Sequence, residues 1–186
     1  MANYSQITVL DAEHEDDFEV MLMQLHHQIV AESISDVYSG HSRCEKLVKV
    51  NGVNYYNDSL SKSISDVVDA LKFIPNKNII WIMNESDDID GLHKLGSLIE
   101  SKVVGIICIG DHNNQTMLKL LNYAPTVLSA ASTTEAVELS LFFNANIDAV
   151  IFSPGSPIYA KKEKNQDQGH LFKKAVKTIE LNTKSI

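Results

Sequence analysis

Four clusters of polar residues stand where apolar runs stop: Asn57-Asp58-Ser59, Asn84-Glu85-Ser86, Gly110-Asp111-His112 and Ser153-Pro154-Gly155-Ser156. Carboxylates and hydroxyls at such stops can accept from ligand hydroxyls, move protons or cap helices. Asp58 is the best single candidate for a functional carboxylate, and on local grounds it reads equally well as a helix cap. Gly110-Asp111 reads more readily as a turn than as a phosphate cradle. Ser59, Ser153, Ser156, His112 and His170 could be paired into a Ser-His-acid triad in several ways, and no nucleophile-elbow motif selects one. His26 and His27 lie about 100° apart on a helix, so they do not face one ligand together. Cys44 and Cys108 make neither a disulfide framework nor a zinc site. The chain contains no G-x-x-x-x-G-K-[ST] and no G-x-G-x-x-G, so it has no P-loop of its own and little claim to a dinucleotide.

The elements that must position these residues alternate. Residues 7–10 form a short apolar run, a candidate strand. Over 13–33, Phe18, Met21, Leu22, Leu25 and Ile29 recur at helical spacing behind an acidic first turn. Residues 46–50, Asn51-Gly52 and 53–57 read as a β-hairpin, because Asn-Gly tolerates the positive φ angles of a type I′ turn. A helix through Ile64, Val67, Val68 and Leu71 runs to the break at Pro75. Strands then follow over 78–83, 103–109, 126–128 and 149–152. Between and after them come helices over 92–100, through Met117, Leu118 and Leu121, through Ala136, Val137 and Leu141 (capped by Ser132 or Thr133), and through Leu171, Phe172, Ala175, Val176 and Ile179. Strands apolar on both faces, alternating with helices, predict an α/β fold. It is a three-layer, Rossmann-like, mostly parallel sheet with an N-terminal β-hairpin. In such sheets ligands sit beyond the carboxyl ends of the strands, where the four polar clusters stand.

Composition sets the outer limits. The 186 residues are 44% hydrophobic and 22% charged, enough for one globular domain with a core and too polar for a membrane span. The formal net charge of −8 speaks against nucleic acid. With two cysteines and no leader-like segment, a cytoplasmic setting is expected. The charge is uneven: residues 1–36 carry eight acids and no Lys or Arg, whereas residues 161–186 carry seven Lys and three acids. Head and tail could attract one another within a chain or between two copies, as in a homo-oligomer. Two solvated faces are the plainer reading.

The run Gly40-His41-Ser42-Arg43-Cys44-Glu45, followed by Val50-Asn51-Gly52-Val53-Asn54-Tyr55-Tyr56-Asn57-Asp58-Ser59, resembles the opening of the C-terminal domain of the Mur ligases. These are the ATP-dependent enzymes that build the stem peptide of peptidoglycan, and the likeness is greatest to the D-glutamate-adding member. Ser153-Pro154-Gly155, then Gln168-Gly169 and Phe172, continue it, so the resemblance covers about residues 34–180. The chain then divides into an acidic segment over 1–36 and a ligase-like domain over 37–186. The resemblance implies a domain that closes over a central ATPase domain and delivers the incoming amino acid to an acyl phosphate. By the same resemblance, Arg43 reaches ATP phosphate and Asp58 the nucleoside side, while Ser59, Lys62 and Ser153 fall at or beside substrate positions.

Departures from the family pattern are equally specific. Lys62 stands where the family has a substrate-binding Thr, and an acid near Asp87 where it has a Lys. Ile158 stands in place of a Ser, and Asn165 in place of a Phe. A dicarboxylate needs cations and hydroxyls, so these changes predict a degenerate substrate site. Neither a UDP-sugar-binding domain nor a P-loop domain with Mg²⁺ ligands is expected within 186 residues. The expectation is therefore a non-catalytic binding or interaction module, with no cofactor by itself. ATP and Mg²⁺ would enter only if a P-loop ligase domain completed it, as in a split or truncated amide ligase.

Overall fold

In a computed structural model of the chain, the described residues are 43–85, 96–110, 114–143, 146–156 and 168–184. The expected strand over 7–10 and helix over 13–33 lie outside them. So do His26, His27, Asp87, His112, Ile158 and Asn165.

The described chain runs β1 (Glu45–Val50), β2 (Val53–Asn57), α1 (Ile64–Phe73), β3 (Ile79–Asn84), α2 (Gly96–Lys102) and β4 (Val103–Ile109). It continues through α3 (Asn114–Leu120), β5 (Val127–Ala130), α4 (Thr133–Ser140), β6 (Ala149–Phe152) and α5 (Gln168–Lys184). The expected hairpin is present, with Asn51 and Gly52 at φ 48° and 87°, both in the region a type I′ turn requires. Strands β1 and β2 pair antiparallel. The other pairings are parallel, and the six strands lie in the order β1-β2-β6-β3-β4-β5.

Strand β3 shows why the sheet is covered on both faces. All six of its residues are buried. Ile79, Trp81 and Met83 join one apolar cluster with Val67 and Leu71 of α1, Ile99 of α2 and Leu120 of α3. Ile80 and Ile82 join the other, with Val137 of α4 and Phe172 and Val176 of α5. Successive side chains of a strand point to opposite faces, so a strand without polar interruptions needs helices on each side. Phe172 lies against Phe152 with ring centroids 5.2 Å apart. The three-layer α/β expectation holds.

A boundary moved where pairing with β4 extended the local pattern. The strand expected at 126–128 is Val127–Ala130. Of the two candidate caps for α4, Ser132 does the work, accepting from the Glu135 N–H. None of the described helices is long and apolar enough to cross a membrane.

The order of strands places the site. The chain steps outward from β3 to β4 and β5, then returns to insert β6 between β2 and β3. The helix after β2 packs on one face and the helix after β6 on the other. Their connections therefore part at the carboxyl ends of β2, β6 and β3, the kind of place where α/β sheets bind ligands.

Candidate functional site at the carboxyl ends of β2 and β6

Asp58 is the first residue beyond β2, and its N–H donates to the Phe152 carbonyl at 2.8 Å, extending the ladder by one bond. Its side chain is fully buried, and both carboxylate oxygens are partnered. Oδ1 accepts from the Cys44 backbone N–H at 3.2 Å and lies 2.7 Å from Arg43 Nε. That Nε is aimed too far off for a hydrogen bond, so the contact is an ion pair held by charge. Oδ2 accepts from Ser153 Oγ at 2.7 Å.

The cluster continues inward from there. Ser153 Oγ is 2.9 Å from Ser61 Oγ, which accepts from the Gly155 N–H at 3.0 Å. The Ser153 hydroxyl thus lies within hydrogen-bond distance of both Asp58 Oδ2 and Ser61 Oγ, and the three groups form one buried chain. Gly155 has φ 66°, and a Cβ there would meet Val67 Cγ2 at 3.0 Å. Both facts favour glycine at the turn that brings its N–H inward. The Ser153 carbonyl accepts from Trp81 Nε1 at 2.8 Å, tying the cluster to the core of β3.

Arg43, about a quarter exposed, is also held by α1. Its Nη1 donates to Asp66 Oδ1 at 3.2 Å and its Nη2 to the Asp66 carbonyl at 3.1 Å. Asp66 belongs to a capping box: its N–H donates to Ser63 Oγ at 3.2 Å, while Ser63 Oγ donates back to Asp66 Oδ2 at 2.9 Å.

Electrostatics follow the burial. Burial is the largest influence on Asp58 and pushes its carboxyl up to about 6, against the opposing pull of the Ser153 hydrogen bond, Arg43 and the Cys44 N–H. Burial also pushes the Cys44 thiol far up, with Asp58 adding to the effect, so Cys44 is no thiolate nucleophile at neutral pH. Burial alone would lower the Arg43 guanidinium, but Asp58 and Asp66 outweigh it and hold it above its usual value. On Asp66, burial is outweighed by the Lys62 N–H, the Ser63 hydroxyl and Arg43, and its carboxyl sits below the usual range.

The raised Asp58 value has a consequence for stability. Between its usual 3.8 and about 6 the folded protein holds a proton that the unfolded chain has released. Stability contributed by that proton is therefore lost as pH rises through this window, by up to about 3 kcal/mol at roughly 1.4 kcal/mol per unit. Asp58→Asn carries no such proton. Denaturant unfolding of both proteins from pH 4 to 7 should show the difference in unfolding free energy moving in the variant's favour as pH rises. Asp66 is common to both and drops out of the difference. A flat difference would mean that Asp58 titrates normally.

Of the five residues singled out in the sequence, the fold brings together Arg43, Asp58 and Ser153. Ser59 gives its backbone N–H to Asn57 Oδ1 at 3.3 Å, within its own turn. Lys62 is exposed, and it is its backbone N–H that binds Asp66 Oδ2, at 2.8 Å. The helix-cap reading of Asp58 is corrected: α1 begins at Ile64 and its cap is Ser63. Among the described residues the Ser153 hydroxyl meets Asp58 and Ser61, and His112, one of the histidines offered for a triad, lies outside them. Sequence reading missed Asp66, Ser61 and the indole of Trp81. The spacing Ser63-x-x-Asp66 was a visible capping signal for the first, and nothing local marked the other two. Among the described residues, no three His, Cys, Asp or Glu are grouped to hold a metal.

No protein-family model matches the chain. Curated relatives do. The chain is 28% identical over 158 residues to the UDP-N-acetylmuramoylalanine–D-glutamate ligase of Christiangramia forsetii, covering 85% of this chain and 35% of that one. It is 30% identical over 134 residues to the same ligase of Desulfotalea psychrophila, covering 72% and 29%. A solved MurF ligase from Thermotoga maritima, in complex with ADP, aligns with 74% of this chain and 32% of its own at a TM-score of 0.45 and 12% identity. The chain spans about a third of the length of the curated relatives it matches. Over most of its own length, this chain is a homologue of the D-glutamate-adding Mur ligases.

Proposed function

We propose that this chain is the amino-acid-delivering type of Mur ligase domain, and that it works as a binding module without ligase chemistry of its own. The observation that carries this reading is the pairing of Arg43 with Asp58 at 2.7 Å, at the carboxyl ends of β2 and β6. The family resemblance assigns these same two residues to the nucleotide. Chemistry supports the choice of Arg43: a partly exposed guanidinium is suited to neutralising phosphoryl oxygens. Each of its terminal nitrogens carries a second N–H beyond the one given to Asp66.

Asp58 fits a different task from the one the resemblance implies. It is buried with both oxygens partnered, so in this arrangement it anchors Arg43 and the loop after β6 and does not face a nucleoside. ATP, when bound, would supply the phosphoryl charge that Arg43 meets. The sequence carries no P-loop motif, and acyl phosphate chemistry needs a positioned γ-phosphate with its metal. The partner this reading calls for is a P-loop ligase domain, on another polypeptide or elsewhere in a longer protein, in the cytoplasm where peptidoglycan precursors are assembled.

The second reading keeps the module but gives it activity as one part of a split Mur-type amide ligase. The intact Asp58–Ser153–Ser61 chain favours it, because a side chain kept aligned by three buried groups is ready to be used. Isothermal titration of the chain alone with ATP, and separately with D-glutamate, tests the module reading. Neither should bind more tightly than about 1 mM. Micromolar binding of either would overturn it, because the site would then be complete without a second domain.

A further inference from the structure

The two carboxylates around Arg43 hold different parts of it. Asp58 meets Nε. Asp66 takes both terminal nitrogens, one through Oδ1 and one through its carbonyl. Those terminal nitrogens are the donors a guanidinium offers to a phosphate, along the same planar fork that grips a carboxylate. Asp66 therefore holds the part of Arg43 that a phosphate would need.

The two contacts also differ in what is lost when they open. Asp58 is fully buried, and releasing Arg43 would leave its charge without a cation. Asp66 does not depend on Arg43. Its Oδ2 keeps the Lys62 N–H and the Ser63 hydroxyl, donors from the two residues that lead into α1. Both Asp66 and Arg43 are about a quarter to a third exposed, so water can solvate each end on separation. The Asp66 contact is the one that can exchange.

We propose that Asp66 is a gate on Arg43: a competitor built into α1 that occupies the arginine until a phosphate held in place displaces it. The inference rests on the reading of Arg43 as a phosphate ligand and adds a residue that decides which phosphates it accepts. One cation between two carboxylates leaves the cluster anionic, which repels phosphate arriving from solution. A phosphate fixed on a docked domain is held next to the guanidinium and does not face that search, so it can replace the carboxylate. The gate thus discriminates against free polyanions and for a nucleotide already bound in an assembled ligase.

The test uses the full chain and inorganic tripolyphosphate at low salt, followed by NMR chemical-shift titration. Asp66→Asn removes the competing charge and keeps a side chain able to stay in the capping box. It should bind the probe about tenfold more tightly than the unmodified chain, with the gain shrinking as salt screens it. Asp66→Glu, which restores the charge, should return to weak binding, and Arg43→Ala on top of Asp66→Asn should abolish the gain. Thermal unfolding of each variant separates loss of fold from loss of the gate. Equal or weaker binding by Asp66→Asn, including no binding by any of the proteins, overturns the inference. The reading of Arg43 itself fails differently, through an Arg43→Ala variant that supports a completed ligase as well as the unmodified chain does.

Discussion

Replacing Trp81 by Ala is expected to destabilise the protein by about 3–5 kcal/mol, a large share of the roughly 5–15 kcal/mol that holds most domains folded. Trp81 is the only tryptophan in the chain and the largest of its fully buried side chains. It sits mid-strand in β3, flanked in the sheet by β6 and β4. Truncation would open a cavity in the cluster shared with Ile79, Met83 and Val67. It would also strip the Ser153 carbonyl of the indole N–H that reaches it at 2.8 Å. Trp81→Phe weights the second effect, because it removes the donor while keeping most of the volume. Its cost should be about 1–2 kcal/mol, the penalty of a buried carbonyl left unpaired. Denaturant unfolding followed by circular dichroism measures both. If Trp81→Phe costs nothing, the indole is a packing residue and does not hold the loop after β6.

That dependence of a polar cluster on a core residue explains what could and could not be read in advance. The hairpin was legible because Asn51-Gly52 carries its conformation in two adjacent residues. The buried strands were legible because stretches such as Ile-Ile-Trp-Ile-Met have no polar face to show solvent. The cap of α4 was legible to within one residue, Ser132 or Thr133, because a cap and its partner, here Ser132 and Glu135, lie three residues apart. The site was only half legible. Arg43, Asp58 and Ser153 could be named from a family pattern, but the bonds that join Ser153 to Asp58 and Ser61 span 95 and 92 residues. They exist because β6 inserts beside β2, a choice of strand order that no local spacing announces. The same holds for Asp58, which looked like a cap at the end of a strand. Its partners come from the segment before β1 and the loop after β6, and they make it an anchor.

The larger functional prediction concerns Arg43. A guanidinium aimed at a transferring phosphoryl group stabilises charge that grows in the transition state, and loss of one such donor elsewhere lowers rates by about 10²- to 10³-fold. Arg43→Ala spares the Trp81, Ser153 and Ser61 contacts, but it removes the cation of the fully buried Asp58 and so costs stability. It should strand Asp58 in its burial and push that carboxyl further up, which the unfolding experiments across pH would register. Asp66, satisfied within its own capping box, should be little affected.

The most direct test of the central claim is phosphate release from a reconstituted ligase. This chain would be combined with the part of the Christiangramia forsetii ligase that it does not match, and supplied with ATP, Mg²⁺, the sugar-linked acceptor and D-glutamate. If Arg43 serves a nucleotide held on the partner domain, the unmodified chain accelerates phosphate release, and Arg43→Ala reduces that acceleration by about 100-fold. An acceleration that survives Arg43→Ala undiminished would contradict the role assigned to this arginine.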